Sequence, residues 1–267
     1  MGLFNLTVGE GPIVATAIHH GHDVRPSVAP LFAIADDHRL REEDPYTGDL
    51  ASLAPTRIIG QRSRFEVDLN RPRDGAVYLT REAAWGIDVW RQLPDEAVVA
   101  ESLASYDLFY ATVHTLLDQL AQRYGRIVVL DLHSYNHRRD GANGQPASAA
   151  ENPEINLGTA SVNREIWGLL VDRFASDLRK QIGNDRPLDV RENVKFQGGH
   201  FPRWINGAFA GRVCAIAVEF KKTFMDEWTG EVDAFHLTCL QKALTATFPG
   251  LLKSLEVLSP LHTASGR

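Results

Sequence analysis

This sequence predicts an α/β fold, a three-layer sandwich around a mixed and largely parallel sheet. Three observations predict it: apolar runs of strand length, amphipathic stretches between them, and turn-forming residues at the joins. The most telling run is Ile127-Val-Val-Leu-Asp-Leu132, apolar on both faces apart from Asp131, as a strand in the middle of a sheet must be. Open α/β sheets collect their chemistry just beyond the carboxyl ends of such strands. His133 and Ser134 stand there.

Pro12 to Ile18, rich in β-branched residues, predicts a second buried strand that runs directly into His19, His20, Gly21, His22 and Asp23. Residues 26–55 crowd Pro, Asp and Glu around Arg41-Glu-Glu-Asp-Pro-Tyr-Thr-Gly48 and predict short helix and loop. From Arg64 to Arg73, Phe65, Val67 and Leu69 alternate with polar residues, a strand signature closed by Pro72 and followed by an Asp74-Gly75 turn. Leu103, Tyr106, Phe109, Val113, Leu116, Leu117 and Leu120 recur at three- and four-residue spacings, which predicts an amphipathic helix stopped at Gly125. Asn136 to Gly158 turns polar and rich in Gly and Pro, and reads as a long loop near the site. Val162, Ile166, Trp167, Leu170, Phe174 and Leu178 mark the next helix, with Ser161 at its N-cap and Gly183 past its end. Asn193 to Ile205, holding Gly198-Gly199-His200, reads as a second loop beside the site. Val213 to Phe220 is a third buried strand, interrupted by Glu219. A last helix from about Val232 to Phe248 is expected to break at Pro249-Gly250. Without internal repeats or low-complexity stretches, residues 1–267 read as one domain.

Composition narrows the class. At 267 residues, 44% hydrophobic and 23% charged, the chain has enough apolar material for a sizeable core and the balance of a soluble protein. A formal net charge of -6 argues against nucleic acid or an anionic membrane as the main partner. The two cysteines, Cys214 and Cys239, make no disulfide framework; as buried thiols they suit a reducing cytoplasm. The N-terminus shows no basic segment followed by an apolar core, and no apolar run approaches about 18 residues, so neither a signal peptide nor a membrane span is expected.

Each of the three apparent strands ends in something chemically useful. A catalytic zinc takes three protein ligands and keeps a fourth position for water. His19 and His22, three apart after one strand, together with His133 after another, satisfy that count, although a His-rich loop is also ordinary polar surface. Glu219, a carboxylate inside an apolar strand, either pairs with Lys221, Lys222 or an arginine, or serves as general base beside a metal. Asn70-Arg71 offers a planar fork and an amide to a substrate carboxylate, though an exposed Arg before proline is common. Tyr46 and Tyr135 carry hydroxyls with nothing to single them out.

Taken together, Ile18-His-His-Gly-His22, Val67-Asp-Leu-Asn-Arg-Pro72, Leu130-Asp-Leu-His-Ser134, the Gly198-Gly199 loop led in by Asn193, and Val218-Glu-Phe220 resemble the N-formylglutamate amidohydrolase family. They fall in order from near the N-terminus to about residue 230, so the resemblance spans most of the chain. That family is similar in turn to the zinc carboxypeptidases, which implies the same three-layer α/β sandwich with zinc at the strand ends. Residue by residue, the resemblance implies His19 and His133 as metal ligands, Glu219 as the base, and Asn70 with Arg71 as the carboxylate clamp. The middle ligand departs from the carboxypeptidase pattern, because His22 stands where a Glu is usual; His20, Asp23, Glu43 and Asp44 are the substitutes.

The implied function is a zinc-dependent amidohydrolase, with other divalent transition metals also suited to the ligands. It would cleave the amide of a small N-formyl or N-acyl amino acid by metal-activated water. Arg25 or Arg203 would help stabilise the oxyanion, and Asp131 would orient a ligating histidine. The competing expectations are a peptidase or deacylase acting on a larger substrate, and a metal- or ligand-binding relative without turnover. The expected partner is a small carboxylate-bearing amide, in a protein compatible with a homo-oligomer.

Overall fold

The computed structural model describes residues 2–183 and 186–258. Seven strands form one sheet: β1 (Phe4–Thr7), β2 (Ile13–Ala17), β3 (Thr56–Gly60), β4 (Ile127–Tyr135), β5 (Ile155–Gly158), β6 (Val190–Glu192) and β7 (Val213–Lys221). Their spatial order is β1-β3-β2-β4-β7-β5-β6. The central strands β3, β2, β4 and β7 run parallel. β1 is antiparallel to β3 at one edge, and β5 is antiparallel to β7 with β6 parallel beyond it. The sheet is therefore mixed and largely parallel, as expected.

The helices are α1 (Asp36–Glu42), α2 (Thr47–Ala51), α3 (Glu96–Tyr124), α4 (Arg164–Arg179), α5 (His200–Ala208) and α6 (Ala234–Leu258). The two-residue period of the strands sorts the core onto two faces. Ala15, Val128, Leu130, Ile216 and Val218 pack against Leu170 and Phe174 of α4 and Leu240 and Leu244 of α6. Val14, Val129 and Ala215 point the other way, onto Phe109, Val113 and Leu117 of α3 and Phe201 and Ile205 of α5. Each fully buried Leu or Phe contributes about 1.5–3 kcal/mol, so these two apolar layers hold the sheet flat between its helices. A smaller cluster of Phe65, Tyr78, Ala84 and Val89 anchors the long excursion between β3 and α3.

All nine residues of β4 are buried, as its sequence requires. α3 starts on Asp95, whose carboxylate accepts the Val98 N–H at 2.9 Å, and stops at Gly125, where φ is +76°. Cys214 is buried and Cys239 half-buried, and both are free thiols. Among the described residues no helix is long and apolar enough to cross a membrane.

The structure departs from the sequence expectation in five places. Residues 64–73 turn instead of forming a strand, because Glu66 and Asp68 are as buried as Phe65, Val67 and Leu69. Their carboxylates take Arg25 and Arg64, so alternation there does not mean a solvent face. The expected 136–158 loop ends in β5, whose four residues are all buried between β7 and β6. Helix α4 is capped by Asn163, which accepts the Glu165 N–H at 3.0 Å, and not by Ser161. The expected 193–205 loop gives way to α5 at His200, since Phe201 and Ile205 lie one turn apart and both bury. Finally, α6 continues through Pro249 to Leu258: Leu251 and Leu255 bury in the core, and Gly250 lets the backbone pass against Asp177 and Arg173 of α4.

Candidate active site

Because β2, β4 and β7 are adjacent and parallel, the residues leaving their carboxyl ends meet along one edge of the sheet. His19 lies two residues beyond β2, and His133 sits opposite Glu219 in the β4–β7 ladder. The two-residue period puts Asp131, His133 and Glu219 on the face covered by α3 and α5, the side to which Val129 and Ala215 also point. The rings of His19 and His133 meet edge to face, 4.9 Å between centroids.

A third group comes from the turn after α1. Asp44, buried, accepts His133 Nδ1 at 2.9 Å and stands 3.6 Å from His19 Nδ1 through the same carboxylate oxygen. Its other oxygen accepts the Ser134 hydroxyl at 3.2 Å. The turn is held in place from two sides. The Asp44 N–H donates to the His19 carbonyl at 2.9 Å, and the buried Lys222 ammonium donates to the carbonyls of Arg41 and Glu43 at 2.6 and 2.7 Å.

Behind each imidazole stands another carboxylate. His19 Nε2 donates to Asp68 at 2.7 Å, and His133 Nε2 to Asp131 at 2.9 Å. Asp131 is fixed in turn by the Thr16 hydroxyl at 2.7 Å. Asp68 also accepts the Asn70 N–H at 2.7 Å, Arg64 at 2.8 Å and the Tyr78 hydroxyl. Donation from Nε2 to Asp68 and Asp131 orients the two rings so that the Nδ1 edge of each faces Asp44.

The electrostatics favour a cation here. Burial alone would raise the Asp44 carboxyl, but His133, hydrogen-bonded to it, and the nearby His19 drive it far below the carboxylate range. Asp68 is likewise buried, and Arg64 and His19 outweigh the burial and hold it ionised. Burial opposes the charged form of His133, yet Asp131 and Asp44 hold its pKa well above the ordinary histidine value. Glu219 goes the other way. Burial, reinforced by Asp44 and Asp131 against the pull of His133, pushes it up to about 7.

These groups open on a cavity of about 480 Å³, lined among others by His19, Asp44, Arg64, Asn70, His133, Glu219 and Lys222. Asn70 lies in its wall, where its carboxamide oxygen accepts the Phe201 N–H at 2.9 Å and caps α5. Gly199 is needed at this contact, because a Cβ there would overlap the Asn70 side chain.

Four expected residues lie elsewhere. His22 is not with His19 and His133; its Nδ1 donates to the buried Glu43 at 2.5 Å and its Nε2 accepts Arg39 at 3.2 Å. Asp44, one of the sequence alternatives, is the acid that lies with His19 and His133 instead. Arg71 does not line the cavity: its guanidinium donates to the Ala83 carbonyl at 3.1 Å and lies over Tyr78 and Trp85. Arg203 is exposed on α5 and outside the cavity lining. Arg25 is also committed, to Glu66 at 2.7 Å and Glu101 at 2.5 Å.

The donors suit a divalent metal. His19, Asp44 and His133 each offer a ligand atom within 4.8 Å of the others, and all three residues are buried. Among the described residues the buried His19 Nδ1 has no hydrogen-bond partner, an orphan that a cation would satisfy. Two imidazoles and a carboxylate are the donor set of a catalytic zinc site.

Asp68 escaped the sequence because it fell on the polar side of an alternation, and Asp44 stood there only as one alternative among several because nothing in the Glu42-Glu-Asp44 run tells one acid from the next. The same holds for Arg64 and Lys222, which only the folded cavity singles out.

The model of the N-formylglutamate amidohydrolase family matches residues 11–225, which include every residue of the site described above. The chain belongs to this family. An N-formylglutamate deformylase of Pseudomonas putida is 26% identical over 241 residues, covering 82% of this chain and 84% of that one. Among solved structures, an N-formylglutamate amidohydrolase from Ralstonia eutropha JMP134 superposes with a TM-score of 0.73 at 20% identity, covering 97% of this chain and 98% of that one. A gene product of Agrobacterium tumefaciens gives 0.66 at 18% identity, over 96% and 95%. Both superpositions share the fold throughout the length of the family domain.

Proposed function

We propose that this chain is a metal-dependent amidohydrolase that releases the acyl group of a small N-formyl or N-acyl amino acid, with N-formylglutamate the simplest candidate. The observation that carries the reading is the buried meeting of His19, Asp44 and His133, with Glu219 opposite His133 at the wall of the same cavity. Membership in the amidohydrolase family and the curated deformylase relative support the choice of substrate.

His19, Asp44 and His133 would hold zinc or another divalent transition metal. Such an ion supplies Lewis acidity, polarising an amide carbonyl and making water acidic near neutral pH. The protein's own groups do the rest. Asp68 and Asp131 keep the two imidazoles turned with Nδ1 toward Asp44. Glu219 accepts the proton of the attacking water on its carboxylate and returns it to the amide nitrogen as the C–N bond breaks. The products are the free amine and the acyl group as a carboxylate, formate in the simplest case. A carboxyl group poised near pH 7 is well matched to that exchange, since it both takes and gives a proton at little cost. The cavity wall excludes bulk water from one side of the reacting atoms and strengthens each of these interactions.

Hydrolysis of N-formylglutamate by the metal-loaded protein tests the reading, with Glu219→Gln as the decisive variant. That variant should keep the metal and lose on the order of 10² or more in turnover. Unchanged turnover would remove Glu219 from the chemistry.

A further inference from the structure

Among the described residues three Arg or Lys side chains line the cavity: Arg64, Arg139 and Lys222. Two are already spoken for. Arg64 pairs with Asp68 at 2.8 Å, and Lys222 donates to two backbone carbonyls. Arg139 has no hydrogen-bond or ion-pair partner among the described residues, and it is exposed, so it stands at the opening of the cavity.

Its backbone, by contrast, is tightly held. The N–H groups of His137 and Arg138 both donate to the buried Glu227 carboxylate, at 2.7 and 2.9 Å. The Arg138 carbonyl accepts Trp228 Nε1–H at 3.0 Å and Arg41 at 3.3 Å, and the Arg138 guanidinium pairs with Asp226 at 2.8 Å. A free guanidinium thus projects from a peptide fixed on several sides, which is how a binding side chain is presented without being spent on the fold. Lys195, which does not line the cavity, lies near enough to feel its charge and rests over the Tyr135 ring at 5.7 Å, so a second positive charge stands close by.

We propose that Arg139 is the clamp for the substrate carboxylate, gripping it at the cavity mouth while the amide reaches the His19, Asp44 and His133 end. This rests on the amidohydrolase reading above and specifies its substrate class: an N-acyl amino acid recognised by a free carboxylate at its outer end. The fork geometry of a guanidinium matches a carboxylate through two parallel hydrogen bonds. Glu227 is a positioning residue for this grip, acting through the 137–138 peptides.

The test is steady-state kinetics of the metal-loaded full-length protein on N-formylglutamate and its two monoamides, one at the α-carboxylate and one at the side-chain carboxylate. The wild type should prefer the diacid over one of the monoamides by about 10- to 100-fold in kcat/KM, the range of one charge-assisted contact. Arg139→Ala should raise KM for the diacid by a similar factor, leave kcat within about threefold, and erase that preference. Arg139→Lys should restore part of it, and Glu227→Gln should raise KM in the same direction with less effect. Wild-type preference that survives intact in Arg139→Ala overturns the clamp while leaving the amidohydrolase reading standing. A wild type that turns over none of the three compounds overturns the amidohydrolase reading itself.

Discussion

Two carboxylates stand behind the two histidines, yet the same substitution should cost very different amounts at each. Asp68 accepts four donors: His19 Nε2 and the Asn70 N–H on one oxygen, Arg64 and the Tyr78 hydroxyl on the other. An asparagine there has only one oxygen, so its amide nitrogen faces either the His19 and Asn70 N–H groups or the Arg64 guanidinium, and the bonds from those donors are lost. If the nitrogen faces Arg64, a largely buried guanidinium loses its counter-charge, and breaking such a pair costs about 3–5 kcal/mol. Asp131 differs. One of its oxygens takes His133 Nε2 and the other the Thr16 hydroxyl, which can rotate to accept from an amide nitrogen instead. Asp131→Asn should therefore keep both hydrogen bonds and cost less in stability than Asp68→Asn, its loss being the negative charge beside His133. Both variants remove negative charge from behind an imidazole, and each should weaken metal binding by about 10- to 100-fold. Urea unfolding gives the first quantity and competition with a chelator the second. Equal destabilisation by the two variants would refute the donor count, and unchanged metal affinity in both would refute the metal site.

Other outcomes follow from the same geometry. Asp44→Ala should weaken metal binding by more than about 100-fold, beyond the range for groups that merely support a ligand, while His22→Ala should leave metal stoichiometry unchanged. Metal analysis of the two purified variants decides which residue fills the middle position. Glu227 yields a pH dependence. Burial would raise its pKa, but hydrogen bonds from His137 and from the backbone N–H groups of His137 and Arg138 bring it down to about 2. A carboxyl lowered in the folded state contributes stability above its unfolded value of 4.5, and that contribution is lost as pH falls from there toward 2. The span corresponds to about 3 kcal/mol at 1.36 kcal/mol per unit. Acid unfolding of Glu227→Gln should lack this part of the wild-type pH dependence, and superimposable acid profiles would contradict it.

How much was legible beforehand depended on which signal was local. The three central strands were readable because each buries both faces and so must be apolar throughout, and α3 because its spacing is that of one buried stripe. The short edge strands β1 and β6 carried no such signal, since four or three residues at a rim need little apolar content. Residues 64–73 misled because buried ion pairs imitate a solvent-facing side. Among the site residues, His19, His133 and Glu219 could be found because each interrupts or ends an apolar run, a position where a polar group has few innocent reasons to stand.

The amino-acid order by itself thus determined strands β2, β4 and β7, helices α3, α4 and most of α6, and which strand ends carry imidazole or carboxylate. Tertiary structure alone decided that Asp44 and not His22 joins them, that Arg71 turns away to a carbonyl, and that Arg139 is left free at the opening. The reason is physical: periodicity reports which side chains leave water, whereas partner choice among several acids or several arginines is settled by distances between segments far apart in the chain, and no local pattern encodes those.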